Sequence, residues 1–141
     1  MSASLKLKIL DFVLTKYKIC GDKPWLKYPD IVVVRHSDNK KWFGIFLSVP
    51  REKLGLTGGG NVDVLNVKKD SVIIGSFVNQ LGILPAWHMN KSSWCSILLD
   101  GTVPIKDIEF LISVSFELTK NVKSGKIANS KRVQNVNDLL S

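Results

Sequence analysis

The residues best suited to chemistry in this sequence fall into two groups. Trp87-His88-Met89-Asn90-Lys91 sets a histidine, an amide and a cation within five consecutive positions. In such a set His88 would act as a general base, and Asn90 or Lys91 would steady a developing anion. The second group is cationic: Arg35, Lys40, Lys41 and Arg51 surround a stretch rich in β-branched and aromatic residues, and with Lys91 they would contact phosphates. Trp25 and Trp42 stand beside these charges, where an indole either stacks on an unpaired base or packs on a sheet. The enzyme reading is thin, because no Ser, Cys or carboxylate is held at a fixed spacing from His88. His88 and Asn90 better suit a loop between two strands whose side chains bond backbone groups. Cys95, between Trp94 and Ser96, reads as a small buried apolar residue. With two histidines, two cysteines and neither H-E-x-x-H nor C-x-x-C spacing, a metal site is not expected. Gly58-Gly59-Gly60 lacks the following Gly-Lys-Ser or Gly-Lys-Thr of a phosphate loop and precedes a strand pattern, so flexibility is its simplest role.

These residues need elements to hold them. Leu5, Ile9, Phe12, Val13 and Tyr17 recur at helical spacing over 4–18, with Gly21 as the expected stop. Pro24 and Pro29 make 22–30 a loop, which Trp25 and Tyr28 are expected to anchor. The spacing predicts strands over 31–36 and 42–49, joined by the turn cluster Ser37 to Lys41 into a hairpin with a basic tip. A third strand is expected over 61–67. A second helix is expected from Asp70 or Ser71 to about Leu81, with Leu81 on its apolar face and Gly82 just past its end. Strands over 83–88 and 94–99 flank the polar loop 89–93, and a last helix opens at Thr102 or Pro104 with Ile108, Leu111, Ile112 and Phe116 inward. The order α-β-β-β-α-β-β-α, with hairpin-length connections, implies an α+β two-layer sandwich: an antiparallel sheet of about five strands with helices packed on it.

The chain has 141 residues, which suits one domain over 1–120 followed by a basic polar tail or loosely docked helix over 121–141. Its 20 Lys and Arg against 12 Asp and Glu give a formal charge of +8. That balance favours polyanions, since a Lys or Arg placed on a phosphate releases counterions, although it also serves solubility. The excess lies toward both ends of the chain, with a neutral middle. No apolar run approaches the roughly 20 residues that span a bilayer. With two cysteines and no cleavable leader pattern, a cytoplasmic protein without a membrane partner is expected.

Pro85-Ala86-Trp87-His88-Met89-Asn90-Lys91-Ser92-Ser93-Trp94 resembles the signature of the MmcQ/YjbR family, an aromatic-His-Met-Asn-Lys stretch with Trp following. Leu99-Asp100-Gly101-Thr102-Val103-Pro104 resembles that family's turn into its last helix, and Ser115-Phe116-Glu117-Leu118 its Ser-Tyr-Glu-Leu segment. Pro24-Trp25, Tyr28-Pro29-Asp30, Arg35-His36, Asp38 to Phe43 and Val49-Pro50-Arg51 are similar to its longer members, so the resemblance covers roughly 8–119. One departure is Ile105-Lys106-Asp107, where relatives are more acidic. The resemblance implies a two-layer α+β fold in a double-wing arrangement, and members are labelled DNA-binding.

The resulting expectation is a small, monomeric, non-enzymatic cytoplasmic protein without cofactors. It would bind DNA through a basic double-wing surface carrying Arg35, Lys40, Lys41, Arg51 and Lys91. The alternative is a protein- or peptide-interaction module that uses an aromatic platform of Trp25, Trp87 and Trp94.

Overall fold

The computed structural model describes residues 4–70 and 80–120. The body of the second expected helix and the whole of the 121–141 tail lie outside these residues. Within them the chain runs α1 (Leu5–Tyr17), β1 (Val32–Arg35), β2 (Trp42–Pro50), a 3-10 turn (Arg51–Leu54), β3 (Asn61–Lys68), β4 (Ile83–Pro85), β5 (Trp94–Leu98) and α2 (Ile105–Thr119). The five strands form one antiparallel sheet in the order β1-β2-β3-β5-β4. This is the expected α+β fold.

Helix α1 starts because the Ser4 hydroxyl accepts a hydrogen bond from the Leu7 N–H, satisfying a donor that the first turn would leave bare. Ile9 and Val13, one turn apart, are fully buried. The helix ends at Lys18, which takes the left-handed conformation (φ 61°) and donates its N–H to the Leu14 carbonyl at 2.9 Å. The expected stop, Gly21, serves another purpose: a Cβ there would lie 2.5 Å from Val32 Cγ1. Only glycine lets the chain run this close to the edge strand, where Asp22 exchanges two 2.8 Å backbone hydrogen bonds with Val33.

Alternation sorts the strand residues onto two faces. One face carries Val32, Val34, Phe46, Leu65, Val67, Cys95 and Ile97, and packs under α1 and α2 with Phe43, Ile108, Leu111 and Ile112. Each such aliphatic side chain contributes about 1.5–3 kcal/mol on burial. The other face is also apolar but has no described helix over it. Val33, Ile45 and Trp94 are covered there by Ala86 and Met89, and Val49, Val62, Val64 and Leu98 by Leu54 and Leu56. Loops close that side.

Some expectations at the element ends change. The strand expected over 83–88 stops at Pro85, because Ala86 to Ser93 folds back over the sheet. Leu81 is 79% exposed in a turn, not on a buried face. Trp25 and Tyr28 do not anchor their loop from within, being 42% and 55% exposed.

Candidate nucleic-acid interface

Strand directions decide which connections meet. β2 and β5 are each antiparallel to β3 between them, so both begin at the same end of the sheet. The β1–β2 tip (36–41) and the β4–β5 loop (86–93) therefore project from that one end, where β3 also finishes at Lys68. Lys40, Lys41, Lys68, Lys69 and Lys91 gather there, with Asp38 and Asp70 as the nearby acids in sequence.

The tip is fixed from below. His36 and Lys41 close it through the His36 N–H to Lys41 carbonyl bond (2.9 Å), and the Lys40 N–H donates to the His36 carbonyl at 3.1 Å. Lys40 sits at φ 63° and is exposed, so the turn carries this cation outward. Lys41 is half-buried; desolvation lowers its ammonium pKa, with the Asp38 carboxylate acting the other way. The Asn39 side-chain amide donates to the Thr119 carbonyl at 2.9 Å, which ties the tip to the end of α2. His36 is buried against Phe43 and Phe116. Its Nε2 lies 3.1 Å from the Phe116 carbonyl and 2.9 Å from Thr119 Oγ1. A carbonyl only accepts, so the network assigns the proton to Nε2. Burial lowers the pKa of His36 despite Asp38 and the Phe116 bond, which oppose it.

Below the tip the β2–β3 ladder stops at Ile45 and Asn66. The hydroxyl of Ser115 on α2 fills the gap, accepting from the Lys68 N–H (2.9 Å) and donating to the Phe43 carbonyl (2.7 Å). This gives the first residue of the Ser115-Phe116-Glu117-Leu118 motif a structural task. Phe116 stacks on Tyr17 at 3.9 Å, and Glu117 pairs with Lys120 on the surface.

The second connection is held by a buried polar network. Asn66 on β3 and Ser96 on β5 are neighbours in register and both fully buried. The Ser96 hydroxyl donates to Asn66 Oδ1, the Asn66 amide donates to the Trp87 carbonyl at 2.8 Å, and the Trp87 N–H donates to Ser96 Oγ at 2.8 Å. Every polar group in that ring is satisfied, the condition under which burying it stabilises. Asn90 builds the turn that follows: its Oδ1 accepts from the Ser92 N–H and hydroxyl, and its carbonyl from the N–H groups of Ser93 and Trp94. His88 stands exposed at φ 61° with its ring 4.5 Å from that of Trp87. Its ring neighbour is therefore an indole, where a general base would need a nucleophile or a carboxylate. Burial pushes the Cys95 thiol up to about 11, with Lys69 opposing, so this sulfur stays protonated at neutral pH. Among the described residues no group of His, Cys, Asp or Glu could hold a metal ion.

Two of the five expected phosphate contacts do not fit as drawn. Arg51 follows β2, whose nine residues separate it from the tip by about 30 Å at ~3.3 Å per residue. There its Nε donates to the Thr57 carbonyl at 2.8 Å, holding its own loop. It also helps lower the Asp100 pKa. Burial raises that pKa, but the hydrogen bonds from Thr102 and the Arg51 charge outweigh it. With Gly101 at φ 95°, Asp100 forms the turn into α2. Arg35 lies near the tip, but its Nε is 2.7 Å from Asp22 Oδ2, which neutralises much of its charge. Trp94 is fully buried and offers no platform; Trp87 is half-buried. Sequence reasoning missed Lys68 and Lys69, because only the strand register brings the end of β3 beside the two connections. Lys68 Nζ lies 5.6 Å from the Trp94 ring centroid.

No family model matches the chain. The uncharacterized protein YyaQ of Bacillus subtilis is 46% identical over 112 residues, which are 79% of this chain and 95% of YyaQ. A Pseudomonas syringae protein of known crystal structure is 42% identical with a TM-score of 0.77, covering 82% of this chain and 98% of that one. A solution structure from Pseudomonas syringae matches at 39% identity and a TM-score of 0.75, over 86% and 98%. The Deinococcus radiodurans protein DR2400, a DUF419 domain, shares the fold at a TM-score of 0.57 and 19% identity, over 91% of this chain and 87% of that one. The fold is thus that of a small α+β protein of the DUF419 kind. The chain belongs to the same family as YyaQ. Among the described residues no helix is long and apolar enough to cross a membrane.

Proposed function

We propose that the protein is a non-enzymatic nucleic-acid-binding protein of the MmcQ/YjbR kind, whose two wings are the β1–β2 tip and the β4–β5 connection. The observation that carries this reading is the gathering of Lys40, Lys41, Lys68, Lys69 and Lys91 at one end of the sheet, on connections held rigid from beneath. Rigid presentation matters because each cation then reaches a phosphate without ordering a loop first, and each contact releases counterions. The reading is shape- and charge-driven, since these lysines are point charges rather than base-reading forks. The test is fluorescence anisotropy of labelled DNA titrated with the full chain at several salt concentrations. About four phosphate contacts would give a log–log salt slope near −3 to −4. Absence of binding at low salt would reject the reading. A second reading, a protein-interaction surface, is favoured by the exposure of Trp25, Leu26 and Tyr28; its binding would change little with salt.

A further inference from the structure

We propose that the basic end takes single-stranded nucleic acid, with an unpaired base stacking on Trp25 while Lys40, Lys41 and Lys91 hold phosphates. This rests on the nucleic-acid reading above and narrows it to a substrate class. Trp25 leaves 42% of its surface to solvent, and its ring meets that of Trp42 edge to face at 5.7 Å and 87°. Trp42 opens β2 directly after Lys41 and pairs with Arg35, so the exposed indole belongs to the same wing as the cations. Three residues on, Tyr28 is 55% exposed with Lys27 Nζ 5.8 Å from its ring centroid. Trp25, Lys27 and Tyr28 thus lie on a loop joined through Trp42 to the tip that carries Lys40 and Lys41.

The loop presenting these rings is ordered by its own hydrogen bonds. The Tyr28 N–H donates to the Trp25 carbonyl at 3.0 Å, and the Ile31 N–H to the Tyr28 carbonyl at 3.1 Å. The loop is tied at one end by the Asp22–Val33 bridge and at the other by Lys6 Nζ on the Asp30 carbonyl at 3.1 Å. A stacking platform gains from such preorganisation, because little side-chain or loop entropy is lost on binding. Duplex bases already stack on each other, so an exposed indole gains little from them. An unpaired base offers a free π-face, and aromatic stacking beside a cationic track is how single strands are held without sequence preference. The cations also separate this occupant from an apolar protein segment, which would have no use for them.

The experiment compares a labelled oligothymidylate with a labelled duplex of equal length at one salt concentration. It uses the full chain and its Trp25→Ala and Trp25→Phe variants. The wild type should bind the single strand more tightly than the duplex. Trp25→Ala should weaken single-strand binding about tenfold, the loss of one stacked base, and leave duplex binding unchanged. Trp25→Phe should restore most of the loss. Trp25 is exposed, so neither variant removes a core side chain, and unchanged duplex affinity doubles as the folding control. Salt-dependent duplex binding without a single-strand preference, or with no effect of Trp25→Ala, overturns this inference and leaves the nucleic-acid reading standing. Binding of neither DNA at low salt overturns both.

Discussion

The two ends of the sheet carry cations and use them in opposite ways. At the far end Arg51 bonds its own loop, donating to the Thr57 carbonyl and biasing the Asp100 carboxylate toward its charged form. At the wing end Asn39 and His36 fasten the tip to α2, and Asn66 and Ser96 fasten the 86–93 connection, through bonds that use no lysine ammonium group. Lys40 is carried outward on a tip that other bonds hold, whereas Arg51 completes its own loop. Residue type alone does not separate Arg51 from Lys40, but the bonding around each does.

The contrast breaks most easily at the buried ring. Asn66→Ala removes the donor to Trp87 and the acceptor for Ser96 and leaves both partners buried, which should cost about 2–3 kcal/mol. Urea unfolding measures this, and a loss near zero would mean the ring does not hold the second wing. Ser115→Ala, which strips the Lys68 N–H and the Phe43 carbonyl of their shared hydroxyl, should cost about 2 kcal/mol by the same reasoning.

Acid should loosen the first wing by a smaller amount. His36 folds with its pKa below the ordinary 6.5, so between the folded value and 6.5 the unfolded chain binds a proton that the folded chain does not. Stability is then full above about pH 6.5 and falls as the pH drops below it, until the folded value is passed. Urea midpoints at about pH 7.5 and pH 5.5 should show this decline, and His36→Gln should flatten it. The smallest effect belongs to the Arg35–Asp22 pair. Both side chains are more than two-fifths exposed, so Asp22→Asn should cost under about 1 kcal/mol. The same change releases the Arg35 charge at the wing end and should strengthen DNA binding slightly, which anisotropy would detect.

Much of the fold is legible in the residues. β-branched and aromatic runs such as Ile31 to Val34 mark the strands, the Ser37 to Lys41 cluster marks the tip, and Pro104 with the Ile108–Leu111–Ile112 spacing marks α2. What the sequence hides depends on distance through space. Arg51 is ten residues from Lys41, as near in sequence as Arg35 is to Trp25, yet an extended strand carries it to the opposite end. Asn66 and Ser96 look like ordinary polar strand residues until the register sets them side by side on a covered face. Lys18 stops α1 although Gly21 is the better-suited residue, because the glycine is required where the chain passes Val32. Asn90, which reads as an anion-holding group in sequence, builds a turn in space, its Oδ1 and carbonyl accepting from Ser92, Ser93 and Trp94.

The most direct test of the two-ended account is one anisotropy experiment on three proteins: wild type, Lys40→Glu/Lys41→Glu and Arg51→Glu, each titrated into the same labelled DNA across a salt series. The account expects the double variant to lose at least about tenfold in affinity on every sequence and to show a shallower salt slope by about two contacts. Arg51→Glu should retain the wild-type slope and nearly its affinity. Equal losses from both variants, or a larger loss from Arg51→Glu, would contradict the assignment of binding to the wing end.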